Sequence, residues 1–116
     1  MSQLSKFEEI LAQYRRHGWH LARVLARPGT FAAGANDDAA GGAGFGGAPV
    51  TESEVDAMWF ARPSAEGREA WELRLVGETP YALFELFEAD EEEEDREDVR
   101  REMEARLRDY AGGSQQ

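Results

Sequence analysis

Three stretches of alternating apolar and polar residues, 55–62, 69–76 and 81–88, follow one another across short links that carry Pro63, Gly67, Gly77 and Pro80. A period of two places successive side chains on opposite faces of a strand, and Gly and Pro punctuate such runs with turns. This predicts a three-stranded antiparallel β-meander. An acidic run at 90–95 then leads into Val99, Met103, Leu107 and Tyr110, which share one side of an amphipathic C-terminal helix. Strand and helix periodicity side by side predict an α+β fold. The pattern specifies an architecture and, by itself, no chemistry.

The N-terminal part adds a helix. Leu4, Phe7, Ile10, Leu11 and Tyr14 form one apolar stripe, and Ser5 with Glu8 has the spacing of a capping box, which predicts a start near Ser5. Arg15, Arg16 and His17 complement the helix dipole, and Gly18 suits the residue after the helix end. Residues 19–27 admit two readings. As a strand they put Trp19, Leu21, Arg23 and Leu25 on one side; as a continued helix they extend a seam through Gly18. A mid-helix Gly costs about 1 kcal/mol relative to Ala, so the strand is preferred. Residues 28–49 are rich in Gly and Ala, with Phe31 and Phe45 their only large apolar side chains, and read as a flexible insertion. The expected organisation is a single domain over 1–111 with that insertion and a disordered tail at 112–116. The expected sheet is covered on one face by helices.

The 116 residues carry a net charge of −11, and residues 88–109 alone hold 12 of the 24 acids and 5 of the 13 bases. Such a chain repels nucleic-acid phosphate, which argues against DNA or RNA as partner and leaves a basic protein surface as a possible one. No Cys is present, excluding disulfides, a thiolate nucleophile and Cys-based zinc sites. No apolar signal region opens the sequence and no stretch approaches 18 apolar residues, so neither membrane insertion nor secretion is expected and the expected location is cytoplasmic.

Motifs with chemical meaning are weak. Residues 42–47 match G-x-G-x-x-G, but a dinucleotide site needs a strand before and a helix after, whereas Pro49 and a strand-like run follow here. His17 and His20 have no evident third ligand. The acidic run lacks the Gly turn of a calcium loop, and its carboxylates lack the apolar surroundings that raise a pKa. Ser2, Ser5, Ser53, Ser64 and Ser114 sit at caps, turns or ends. The reading is therefore of no catalytic residues, no cofactor and no metal.

Pairing residue 62 with 69 and 76 with 81 sets a meander register. One face then carries Met58, Phe60, Trp71, Leu73, Leu75, Phe84 and Leu86; the other carries Val55, Trp59, Glu72, Arg74, Val76, Tyr81, Leu83, Glu85 and Phe87. Glu72 would face Glu85. A slip of one residue exchanges faces. The mixed face offers Trp59, Glu72, Arg74, Tyr81 and Glu85 as a partner-binding patch, since aromatic residues and Arg dominate interface energetics. The expected function is a non-enzymatic protein-interaction or regulatory module, through a protein partner or self-association. One alternative is a small-ligand site on the Trp59/Arg74/Tyr81 face. Another is an acidic mimic or inhibitor of a nucleic-acid-binding protein, acting through 88–98.

Overall fold

The computed structural model describes residues 3–30, 44–77 and 79–113. In chain order these form α1 (Gln3–Arg16), β1 (His20–Ala26), β2 (Gly44–Phe45), β3 (Ala48–Glu52), β4 (Ala57–Pro63), a 3₁₀ turn (Ala65–Gly67), β5 (Glu69–Leu75), β6 (Ala82–Phe87) and α2 (Glu93–Gly113). The strands make one mixed sheet in the order β2-β3-β1-β4-β5-β6, parallel where β1 meets β3 and antiparallel at the other pairings. The α+β class agrees with the sequence pattern, but the expected three-stranded meander and separate strand are instead parts of one six-stranded mixed sheet, in which β4, β5 and β6 are consecutive neighbours.

α1 begins at Gln3, two residues before the expected start, so Ser5 lies inside the helix. The C-terminus behaves as its sequence suggests. Gly18 has φ of +87°, its N–H donates to the Arg15 carbonyl, and the Trp19 N–H donates to the Tyr14 carbonyl. This is the Schellman arrangement, with its apolar contact supplied by the edge-on Tyr14 and Trp19 rings. The chain therefore leaves the helix at Gly18 and enters β1, which settles residues 20–26 as a strand. A bulge between Leu21 and Arg23 breaks the simple alternation. Leu21 and Val24 pack on the α1 side, whereas Arg23 reaches Glu97 of α2.

The helices lie on opposite faces of the sheet, not on one. Phe7, Ile10 and Leu11 of α1 pack with Val24, Ala48, Met58 and Phe60. Met103 and Leu107 of α2 pack with Leu25, Ala57, Trp59 and Leu73. The cause is β4, which carries bulky apolar side chains on both faces and so needs cover on both. Trp59 is completely buried, and its indole N–H donates to Glu104 at 2.8 Å.

The register differs from expectation by one residue at each turn. β4 pairs Phe60 with Glu72 and Ala61 with Trp71; β5 pairs Glu72 with Phe84 and Trp71 with Glu85. Together the two slips shift β6 by two residues relative to β4, which leaves the facing of both strands unchanged and turns β5 alone to the other side. Trp71, Leu73 and Leu75 thus join Trp59 under α2, while Glu72 and Arg74 join Phe60 and Phe84 on the α1 side. Burial drives this choice, because it gathers the bulky side chains of β5 with those of β4 beneath α2.

The insertion is partly structured. Phe45 packs edge-on against Phe7 at 5.7 Å between ring centres, and Ala48 is buried. Gly46 and Gly47, both at positive φ, form the two-residue turn between β2 and β3. Residues 31–43 and 114–116 lie outside the described residues; Gly112 and Gly113, expected in the tail, belong to α2. At one end of the molecule Gln3 and Ala111 line a common cleft. Asp56 is buried nearby and accepts hydrogen bonds from the Arg27 N–H, the Thr30 hydroxyl and the Gln3 amide. That carboxylate ties the start of α1 to the end of β1 and the approach to β4.

Candidate functional site

The α1-side core draws on β1, β3 and β4 with Val76, and α1 leaves much of β5 and β6 uncovered on its side. This open area carries Glu72 and Arg74 from β5 and Ala82, Phe84 and Leu86 from β6. Phe84 is 58% exposed, and among the described residues no other large apolar side chain is exposed to that degree. Tyr14 forms the wall towards α1. Its ring stacks on Phe60 at 4.0 Å, and its hydroxyl donates to Glu72. Burial pushes the Tyr14 hydroxyl up to about 12, the bond to Glu72 acts in the same direction, and Arg74 opposes both. Beside it a cleft of about 380 Å³ is lined by Gln13, Tyr14, Arg16, His17, Trp19 and Glu72. Arg62 lies 5.1 Å over the Trp19 ring and donates to the His17 carbonyl.

Among the described residues β6 is also the last strand of the sheet. The Leu75 N–H donates to the Tyr81 carbonyl, so in the antiparallel ladder residues 81, 83, 85 and 87 turn their backbone groups towards β5. Ala82, Phe84 and Leu86 direct theirs away from the sheet. The same three residues thus present their side chains on the open face and their backbone on the free edge.

The five residues expected to form a patch are divided between the two faces. Trp59 is core, Tyr81 stacks on Tyr110 of α2 at 3.8 Å, and Glu85 pairs with Trp71 on the α2 side. Glu72 and Arg74 alone reach the open area. Because β5 faces the other way from the expected register, Glu72 lies opposite Phe84, not Glu85. Periodicity alone assigns Phe84 and Tyr14 to the core. The available clue was that β6 is apolar on both faces, with Leu83 and Phe87 on one and Phe84 and Leu86 on the other.

Charge on the α2 side is organised internally. Arg100 is 2% exposed, bonded to Glu93 and Glu97, and lies 4.4 Å over the Trp71 ring. Arg23 donates to both oxygens of Glu97. The bond from Arg23 holds the Glu97 carboxyl down at about 2 against its desolvation, with Arg100 adding to the effect. Glu88 pairs with Arg68 and Asp98 with Arg101, so part of the acidic run faces arginines of its own chain. Glu92, Glu94 and Asp95 are exposed. Among the described residues the α2 ion pairs run at i,i+3, two turns apart, or across to the sheet.

Two further features bear on chemistry. A hollow of about 1100 Å³ lined by Gln3, Arg27, Pro28, Thr30 and Glu52 adjoins Asp56, whose oxygens are already occupied by the donors named above. Among the described residues no group of three or more His, Cys, Asp or Glu is placed to hold a metal ion. Tyr14 and Glu97 are displaced away from neutrality in opposite senses, so neither is tuned for proton transfer near pH 7. Among the described residues no helix is long and apolar enough to cross a membrane. No protein-family model, curated protein or solved structure matches the chain.

Proposed function

We propose that this chain is a non-enzymatic protein-interaction module whose contact surface is the open face of β5 and β6 together with the free edge of β6. The observation that supports it most is Phe84, exposed on an edge strand beside Glu72, Arg74 and Leu86. Aromatic and Arg side chains at the centre of a surface patch are those that dominate protein recognition, and an edge strand offers main-chain hydrogen bonds besides. A photo-crosslinking phenylalanine analogue at position 84, expressed in the cells that make the protein, tests this. Protein adducts at 84 and not at Arg101, on the exposed side of α2, are expected. Equal yields at the two positions overturn it.

A small-ligand reading moves from the Trp59/Arg74/Tyr81 face, which the burial of Trp59 closes, to the cleft beside Tyr14 and Trp19. Its support is the convergence there of a phenol, a carboxylate and an aromatic ring. Amide shift changes confined to Gln13, Tyr14 and Trp19 on adding a small molecule would favour it.

A further inference from the structure

The two edges of this sheet are built differently. At one, β2 is two residues long and ends in a tight turn, a common way to leave no template for another strand. At the other, β6 runs for six residues, Ala-Leu-Phe-Glu-Leu-Phe, with no Pro and no bulge against β5. Its interruptions, Pro80 and Glu88, stand just beyond its ends. Proteins that stay monomeric usually blunt such an edge with a charge, a Pro or a bulge. The one charged side chain within β6, Glu85, lies on the α2 side and not among the outward-facing residues.

Resting on the interaction reading above, we propose that the partner of this edge is a second copy of the chain, with β6 pairing antiparallel to β6 about a two-fold axis at Phe84. Outward-facing residues alternate, so only registers that pair even-numbered residues with even-numbered residues keep the two open faces on one side. Centring on Phe84 places Phe84 against Phe84 of the second copy, Ala82 against Leu86 of the second copy and Leu86 against Ala82 of the second copy, a small residue facing a larger one. Each of those three pairs exchanges two main-chain hydrogen bonds. Pro80 and Glu88 of the second copy then meet at the boundary, where pairing stops. At about one hydrogen bond per 100–200 Å² this is an interface near the low end of specific complexes, so the dimer is concentration-dependent. Each copy carries −11, and repulsion between copies opposes pairing.

Sedimentation equilibrium of the purified chain at low and high salt is the test. Self-association that tightens several-fold as salt screens the repulsion is expected, the reverse of what salt does to capture of a basic partner. Phe84→Ser should weaken it about 30-fold, as truncated hot-spot aromatics do. Ala82→Pro removes an outward N–H that β5 does not use, so it should weaken the dimer while the monomer keeps its unfolding midpoint. A chain that stays monomeric at its highest soluble concentration in both salts overturns the proposal. So does a dimer indifferent to both substitutions. A monomer whose position-84 probe still captures another protein overturns self-pairing and leaves the interaction reading standing; a monomer with no adduct at 84 removes both.

Discussion

Tyr14 belongs by spacing to the apolar stripe of α1, yet its hydroxyl reaches past Phe60 to Glu72 on the neighbouring strand. Replacing it with Phe keeps the stacked ring and removes only the donor. Tyr14→Phe should cost about 1 kcal/mol of stability and abolish the tyrosine titration at about 12, followed by phenolate absorbance. Glu97 supplies the acid-side counterpart. Its folded value of about 2 lies below the ordinary 4.5. Its contribution is therefore complete above about pH 4.5 and lost as pH falls towards 2. Glu97→Gln should be less stable than the parent at pH 7, with the gap closing across that window in denaturant titrations. A constant gap would show that the Arg23 and Arg100 bonds contribute nothing pH-dependent. Neither role is visible in the sequence, because both depend on which residue of β5 or β1 lies opposite, and a bulge or a one-residue slip decides that.

At the level of elements, the junction of α1 and β1 depends on one backbone conformation. Gly18→Ala forces a Cβ into φ of +87° and should cost about 1–2 kcal/mol, measured by chemical unfolding. The seam between β4 and α2 depends on Trp59. Trp59→Ala should cost about 3–5 kcal/mol, a large share of the stability of a domain this size, and leave Glu104 without its donor. A thermal midpoint close to the parent's would mean that α2 is not the lid of this core. The junction was legible, since Gly18 after Arg15, Arg16 and His17 is a local signal. So were the three meander strands and α2, whose periodicities are strong. The face of β5 was not, because Trp71, Leu73 and Leu75 fit a core equally well beside Phe60 or beside Trp59. The 3₁₀ turn with Glu66 at positive φ fixes the β4–β5 register, and nothing in the composition of that link announces it. Strand β3 was hidden for a different reason. Its pairing to β1 is parallel and crosses residues 27–47, so no hairpin pattern marks it.

Taken whole, the molecule is a sheet held between two helices whose outer ends come back to the same place. Gln3, the first described residue of α1, and Ala111, in the last turn of α2, border one cleft. The chain is thus nearly a closed ring, and its linear order is a choice of where that ring is cut. Joining the two ends with a short Gly/Ser linker and opening the chain in the exposed 64–68 link should give a circular permutant with the same far-ultraviolet spectrum and a cooperative transition. In that permutant β5 comes first and β4 last, so two strands that now meet through a five-residue link would have to find each other across the whole chain. Slower refolding with little change in equilibrium stability is the expected signature. It would mean that the 64–68 link sets how quickly the sheet assembles, and the contacts of its faces set which sheet it is.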